Sequence, residues 1–287
     1  MRFMRAYALR VALLAVVATG VALPGPARAE GKYDLRLSRL GQATRAGTKV
    51  TVVKDQVAYD NVVRELGVAM APKYFGPAST LGSLGFNIAL ETSFTNIKDD
   101  SGYWQAAVDD PGNTLNTMQL HFRKGLPFSL EVGGTVTHLF ESQLWGVGLD
   151  LKFAALEGYR DLPDLSFRGN IHTVLGQKDL NLLTAGGDFI ISKDFGIGGV
   201  VHLAPYAGYN LVYVYANSHP IAFFVDNCAA GDDRSLCSKV DIFEDVSEVV
   251  HRAVIGFQLI VTYVSVGTEI AITDGLQTYT LHIGADF

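Results

Sequence analysis

The chain has 287 residues, of which 48% are hydrophobic and only 18% are charged, and its formal net charge is -6. Soluble domains usually carry about 25% charged residues, so this composition is unusual for a water-soluble protein. The acidic balance argues against nucleic acid as a partner.

The first thirty residues have the features of a secretory signal. Arginines precede an apolar run over 11–23, and the small-x-small sequence Ala27-Arg28-Ala29 follows it. We therefore expect residues 1–29 to be cleaved as the chain is exported. A transmembrane anchor is the alternative, but the run is shorter than the roughly 20 residues that a spanning helix needs.

Residues 30–83 are predicted to form a separate N-terminal segment. Residues 48–53 favour one short strand, and Asp55 is a good N-cap for a helix. Apolar residues then recur at spacings of three and four, which predicts an amphipathic helix near 56–70. We expect the helix to end before Pro72, because proline disrupts helical hydrogen bonding.

From residue 84 onward, apolar and polar residues alternate with the period of two that is typical of strands with one apolar face. This alternation predicts about ten strands, over 84–97, 116–123, 128–138, 144–153, 165–175, 180–192, 198–215, 253–263, 264–273 and 277–287. The strands within 180–215 alternate less regularly than the others, and a misassignment there would leave eight. A hairpin in the long connection after residue 215 would make twelve.

The last strand ends on a phenylalanine, and its apolar face carries Tyr279, Leu281, Ile283 and Phe287. This motif resembles the closing strand of small Gram-negative outer-membrane β-barrels, in which it is also the signal for the barrel assembly machinery. The predicted apolar faces are rich in Val, Leu, Ile and aromatic residues. A soluble β-sandwich or lipocalin-like barrel would instead show many charges outside. We therefore predict an all-β fold, a transmembrane antiparallel barrel over residues 84–287.

The resemblance implies a location in the outer membrane, with membrane lipid and the assembly machinery as partners. An even number of strands places both ends of such a barrel in the periplasm. We therefore expect the N-terminal segment and Phe287 there, and the loops 98–115 and 218–248 outside the cell. The helix near 56–70 would then plug the barrel mouth, contact a periplasmic partner, or cap the barrel end.

Strand parity places charged residues of both signs on the inner face of the predicted barrel. These lumen-facing residues are Glu91, His121, Arg123, Glu131, Asp150, Lys152, Arg168, His172, Glu269 and His282. Side chains nearly fill a lumen of this size, so we expect the charges to pair across it as a structural core. A narrow conduction path along them is the alternative.

Catalysis is the least favoured role for these residues. Barrel enzymes need a nucleophile or base beside a histidine and an acid. His121 with Glu131, or His172 with Asp150, would form such a pair. No stretch resembles a signature of those enzymes, so we predict a protein that is not an enzyme and has no cofactor.

Cys228 and Cys237 lie in a polar stretch of the long connection. In an exported protein such a pair predicts a disulfide that closes a short loop. Metal ligation is the alternative, although no histidine lies between or beside them. A cation site near this loop would draw on His219, His251, Asp226, Asp241 and Glu244, but a solvated acidic loop is the simpler expectation, and we predict no metal.

The favoured function is a structural or docking component of an envelope-spanning export or motility assembly, with periplasmic or envelope-complex proteins as partners. A narrow channel for small solutes, gated by the helix or the cysteine loop, is the alternative. A lipid- or peptide-modifying barrel enzyme is the third hypothesis.

Overall fold

The computed structural model describes residues 31–46, 49–198, 200–221 and 242–287. The predicted signal and both cysteines lie outside the described residues, so cleavage and the disulfide stay predictions. No helix in the described part of the chain has the length and apolar content needed to cross a membrane.

The N-terminal segment contains a hairpin and a helix. A 3-10 turn over Leu37–Leu40 leads into the antiparallel strands β1 (Gly41–Ala46) and β2 (Lys49–Lys54). Helix α1 (Gln56–Met70) follows, and the carboxylate of Asp55 accepts a hydrogen bond from the Ala58 amide at 3.0 Å. This is the cap that the sequence predicted.

The rest of the chain forms a closed β-barrel. In chain order its elements are β3 (Phe86–Asn96), α2 (Gly102–Ala107), β4 (Thr114–Leu126), β5 (Leu130–Leu139), β6 (Trp145–Leu156), β7 (Asp164–Leu175), β8 (Leu180–Ser192), β9 (Phe195–Ile197), β10 (Val201–Ser218), β11 (Val246–Val261), β12 (Val264–Thr273) and β13 (Leu276–Asp286). Every neighbouring pair is antiparallel, and the β13–β3 and β10–β11 pairings close the ring. Apart from β9, a short strand beside β10, ten strands form the wall, which confirms the predicted fold class.

Most strand boundaries lie within three residues of the prediction, and two of the differences have a clear cause. β4 continues to Leu126, and the turn to β5 falls on 127–129, where Phe128 and Ser129 have φ angles of 65° and 56°. The sequence favoured a turn at 124–127 because Gly125 and Pro127 are common turn residues. β11 begins at Val246 instead of residue 253.

The outer surface of the barrel wall is apolar. Outward side chains such as Leu149 and Ile255 are 66% and 63% exposed. Soluble monomers rarely expose continuous apolar surface on this scale, whereas a membrane barrel presents it to lipid. The predicted assembly residues of the closing strand lie on this surface and are Tyr279, Leu281, Ile283 and Phe287.

The two ends of the barrel differ. At the terminal end, the amide of Phe287 donates to the carbonyl of Phe86 at 2.8 Å, and the neighbouring turns are short. The opposite, loop end carries the longer connections, including residues 97–113. The N-terminal segment lies there, since the Tyr33 amide donates to the Glu141 carbonyl at 3.0 Å.

This arrangement corrects the expectation that the N-terminal segment and Phe287 share one side of the membrane. Within the described residues they lie at opposite ends of the barrel, because residues 71–82 run through the lumen before β3 begins. We call residues 71–82 the plug segment. An even number of strands places the first and last strand ends at the same end of the barrel. It does not fix the position of a preceding segment that passes through the lumen.

Candidate functional site: the filled lumen

Helix α1 fills the loop end of the lumen with apolar contacts. Its buried residues, including Tyr59, Val62 and Leu66, pack against inward side chains near the strand ends. These strand and loop residues are Ile97, Leu115, Leu139, Leu144, Val174, Leu180, Leu182, Val212, Val214, Val246, Val250 and Leu276. The packing is close, because a Cβ added at Gly67 would lie 2.6 Å from Cγ1 of Val214. We call this layer the apolar seal.

A buried carboxylate on α1 joins the helix to the β3–β4 connection. Glu65 accepts hydrogen bonds from Nε1 of Trp104 at 2.7 Å and from the hydroxyl of Tyr103 at 2.8 Å. Partial burial and then the hydrogen bond to Glu65 raise the pKa of Tyr103 to about 12. The tryptophan is fully buried, so the connection folds over the helix and holds it in place.

Exposed polar contacts attach the start of the N-terminal segment to other loops. Arg36 and Arg39 pair with Asp109 at 2.7 and 2.5 Å, and the hydrogen bond from Arg39, more than any other contact, lowers the pKa of that carboxyl. Asp34 accepts from the Ser142 hydroxyl at 2.6 Å and from the amide of Gln143 at 2.7 Å. The segment is therefore anchored to at least two connections at the loop end.

The carbonyls of the plug segment accept hydrogen bonds from buried cations of the wall. The contacts are Arg252 Nη2 to Pro72 O at 2.9 Å, Arg123 Nη2 to Tyr74 O at 3.0 Å, Arg168 Nη1 to Tyr74 O at 3.3 Å, and Lys152 Nζ to Pro77 O at 3.3 Å and Ser79 O at 2.9 Å. Charged donors make stronger hydrogen bonds than neutral ones. Four positions of the plug main chain are held in this way.

The amides of the plug segment donate to side-chain oxygens of the barrel. The contacts are Phe75 N to Glu269 Oε2 at 2.7 Å, Ala78 N to Ser192 Oγ at 2.9 Å, Thr80 N to Glu157 Oε2 at 2.7 Å, and Leu81 N to Glu131 Oε2 at 3.1 Å. Buried main-chain groups are costly when they lack partners. Side chains of the barrel thus replace the hydrogen bonds that secondary structure would supply.

The side chain of Tyr74 lies in a pocket of the lumen wall. Its ring stacks on His282, with centroids 4.0 Å apart and planes 9° from parallel. A Cβ added at Gly267 would lie 2.1 Å from the Tyr74 hydroxyl, so the ring occupies the space that the missing side chain leaves. Only glycine fits at that position beside this tyrosine.

The side chain of Phe75 lies between two guanidinium groups. The Cζ atoms of Arg168 and Arg252 are 4.8 and 5.3 Å from the ring centroid, which is cation–π geometry. A Cβ at Gly208 would lie 3.0 Å from the Phe75 ring. The same arginines also donate to plug carbonyls, so each contacts both main chain and side chain of the plug.

Further charges of the wall pair with one another around the plug. Arg168 Nε lies 2.5 Å from Asp188 Oδ2, and Lys152 Nζ lies 3.2 Å from Glu131 Oε1. His121 lies 2.9 Å from an Asp150 oxygen. Glu91 lies 3.4 Å from both His121 and His282.

The structure places all the predicted lumen-facing residues in the interior, where each is at most 8% exposed. Glu91, His121, Asp150 and His282 form one hydrogen-bonded group. Arg123, Lys152, Arg168, Glu131 and Glu269 contact the plug main chain. Arg123 also joins the two sets, since its Nη2 lies 3.1 Å from Nδ1 of His121. His172 lies apart from both sets and contacts the Thr137 hydroxyl at 3.2 Å.

Several buried charged residues of the interior were not predicted from the sequence. Asp188 lies in the irregular stretch 180–192, and Arg252 precedes the predicted start of its strand. Extending the period of two backward from Val254 would have placed Arg252 inside, where the structure has it. Lys73 and Glu65 belong to the N-terminal segment, and no strand pattern could place them.

The histidine–carboxylate pairs considered for the least favoured role, catalysis, do not form. His121 contacts Asp150 instead of Glu131, and His172 contacts Thr137 instead of Asp150. Among the described residues, no group of three or more His, Cys, Asp or Glu side chains is arranged to hold a metal ion.

The histidines that were considered for a cation site make other contacts. His219 contacts the Asn181 side chain and the Lys178 carbonyl, and His251 contacts the Tyr209 hydroxyl. Asp226 and Asp241 lie outside the described residues.

No family model matches the sequence, and no curated protein matches it. Among solved structures, the KdgM porin in complex with disordered oligogalacturonate aligns with a TM-score of 0.34 and 6% identity over 70% of this chain and 99% of that one. The transport unit of the autotransporter AIDA-I from Escherichia coli aligns with a TM-score of 0.34 and 12% identity over 80% and 97%.

Ail of Yersinia pestis, in complex with the heparin analogue sucrose octasulfate, aligns with a TM-score of 0.26 and 15% identity over 71% and 99%. These neighbours are outer-membrane β-barrel proteins, and this chain has the same class of fold. The TM-scores are low, so the ligands and activities in those names stay with those proteins.

Proposed function

We propose that this protein is a non-enzymatic structural barrel of the outer membrane, closed at rest, that holds its N-terminal segment at the loop end as a docking element. The filled lumen is the observation that supports this function. Helix α1 occupies one part of it, and the plug segment binds buried side chains down to Leu81. A lumen filled in this way by the described residues is suited to an anchor.

The orientation of the barrel decides where docking would take place. Outer-membrane barrels have short periplasmic turns and longer external loops. Here the short turns, such as 262–263, lie at the terminal end, and the long connection 97–113 lies at the loop end. We therefore propose that the N-terminal segment faces outward. A partner in an envelope assembly would meet it at the outer face, in contrast to the periplasmic docking that the sequence favoured.

A gated channel is the second candidate. The plug segment has no regular secondary structure, and polar groups hold it. Its withdrawal would expose the charged lining of the wall, which would then select ions or small solutes. The apolar seal would have to move as well, since it closes the loop end.

Recording of single-channel current separates the two candidates. The mature protein is reconstituted in planar bilayers beside a variant with a disrupted seal, Leu66→Asp. A structural barrel gives no steady current in either form, because the plug segment still fills the lumen when α1 is displaced. A gated channel gives current once the seal is disrupted. Steady conductance from the natural protein would contradict the closed state.

Labelling of intact cells tests the orientation. One epitope is inserted between β1 and β2, and a matched epitope is inserted at Gly158 in the exposed turn at the terminal end. Antibody should bind the first epitope on intact cells and the second only after permeabilisation. The reverse pattern would place the N-terminal segment in the periplasm.

A further inference from the structure

We infer that the interior of the barrel is a binding site for a non-helical peptide that carries two consecutive aromatic residues, and that residues 72–81 of this chain occupy it in the structure. The site is built by side chains of the wall, and its present occupant is continuous with α1 at one end and with β3 at the other. The inference concerns a ligand class and does not depend on whether the barrel is a docking component.

The wall of the barrel recognises the main chain of its occupant. Buried arginine and lysine groups donate to carbonyls at Pro72, Tyr74 and Ser79. Carboxylates accept from the amides of Phe75 and Leu81. Every peptide offers these groups, so recognition of this kind supplies affinity for a peptide of almost any sequence.

Two side-chain pockets in the wall add selectivity for the peptide sequence. Tyr74 stacks on His282 and fills the space above Gly267. The guanidinium groups of Arg168 and Arg252 both lie within cation–π distance of the Phe75 ring. Pockets for adjacent side chains, combined with main-chain hydrogen bonds, are how peptide-binding proteins select sequences. The aromatic pair therefore identifies the preferred ligand.

The β-sheet of the barrel closes without any hydrogen-bonded strand from the occupant. Every wall strand pairs with two wall neighbours, and the plug segment adds no strand to the sheet. The glycine-rich link from Gly82 to Gly85 joins the occupant to β3, and Ser83 and Leu84 within it are exposed. The occupant is thus a tethered ligand.

A tethered ligand must be weakened before a free peptide can compete with it. Tethering gives an effective concentration in the millimolar range. Two buried aromatic anchors each contribute roughly 30-fold to binding. The variant Tyr74→Ala/Phe75→Ala in the full mature chain should therefore lose about 1000-fold in occupancy, which allows a micromolar peptide to bind.

Fluorescence anisotropy in detergent provides the test. The probe is a labelled synthetic peptide of residues 71–82, and the matched control peptide has alanine at both aromatic positions. The double-alanine barrel should bind the natural peptide saturably and at least roughly 10-fold more tightly than the control peptide. The natural barrel should bind neither peptide, because its site is filled.

A third variant links binding to the lumen. Adding Glu269→Gln to the double-alanine barrel removes the charged acceptor of the Phe75 amide and should weaken the natural peptide by roughly 10-fold. Folding of each variant is checked by the gel shift on heating that intact barrels show. If the double variant does not fold, Phe75→Ala alone is used, with a proportionally smaller gain in binding.

No saturable binding to a folded double or single variant would overturn the inference, as would equal binding of the two peptides. Either result would leave the closed-barrel proposal intact, since current measurements test that separately. Binding that Glu269→Gln does not change would place the peptide outside the lumen and would also overturn the inference.

Discussion

The two parts of the lumen are filled by different chemistry. At the loop end, α1 presents apolar side chains to apolar strand residues such as Val214 and Leu182. Nearer the terminal end, the plug segment is held by hydrogen bonds from groups such as Arg252 and Glu269. Apolar contacts have no direction and depend on shape and volume. Hydrogen bonds from fixed donors instead specify which residue of the plug lies at each level.

The apolar filling and the polar filling of the lumen have different roles in one barrel. The apolar seal excludes water and makes the barrel tight, but it would tolerate a small shift of the helix. The polar part tolerates no shift of register, because each main-chain group would lose its partner and buried unpaired groups are costly.

Leu66→Asp should have the largest effect, because it places a carboxylate in the apolar seal where Leu66 is 1% exposed. We expect a loss of about 3 kcal/mol or more and displacement of α1, whereas the plug segment should keep the barrel silent in bilayers. Thermal unfolding measures the loss of stability, hydrogen exchange of α1 measures its displacement, and bilayer recording tests the silence. The control is Val57→Asp on the same helix, where the side chain is 70% exposed and no change is expected. Equal effects of the two variants would contradict the seal.

Arg252→Met should come second. It removes the donor to the Pro72 carbonyl and to the side-chain oxygen of Asn210, which lie 2.9 and 3.0 Å away. Leaving buried acceptors unpaired costs about 2–3 kcal/mol, which thermal unfolding would detect. The control is Arg160→Met in an exposed turn, which should not change the unfolding temperature. An unchanged temperature for Arg252→Met would show that the plug carbonyls do not need this donor.

Gly267→Ala should have a smaller effect that is confined to the plug. The new methyl group would meet the Tyr74 hydroxyl, and overpacking of this kind costs about 1–2 kcal/mol. Tyrosine fluorescence and unfolding temperature report the displacement of the ring. The control is Gly187→Ala on the same barrel, because no atom lies within 4 Å of a Cβ at that position. A silent Gly267→Ala would mean that Tyr74 is not held against β12.

Asp109→Asn should have the smallest effect, limited to the N-terminal segment. The arginines lower the pKa of Asp109. Its contribution to stability is therefore present above its unfolded pKa, near 3.9, and is lost as the pH falls through the folded value. The protection factors of residues 31–46, which correct hydrogen exchange for its intrinsic pH dependence, should fall as the pH drops below about 3.9 in the natural protein. Asp109→Asn should remove that pH dependence, whereas the neighbouring Asp110→Asn should keep it.

All ten wall strands were predicted, but those with a polar inner face alternate more clearly than those that line much of the seal. β3, β4, β5 and β6 alternate clearly, because lipid lies on one side and charges or hydroxyls lie on the other. In β8, β10 and the start of β11 the inner face is itself apolar, since it packs on α1. Both faces then resemble one another, and the period of two loses its contrast. This is why β11 was predicted to start late.

The partners of the inward charges could not be predicted for a related reason. Strand parity assigns a side chain to a face but gives no distance across the bore. The sequence predicted charges that pair across the bore, but Arg168 with Asp188 and Lys152 with Glu131 pair between neighbouring strands of the wall. The prediction also omitted the main chain of residues 72–81, because an irregular segment has no periodicity that could locate it inside a barrel.

By itself the sequence determined the barrel. Alternation, a low content of charge and a closing aromatic strand are local properties, and they are sufficient because lipid imposes the same rule on every strand. Only the tertiary structure decided what fills the barrel and at which end the N-terminal segment lies. Those features depend on contacts between α1, the plug segment and strands distant in sequence, and such contacts leave no repeating pattern in the chain.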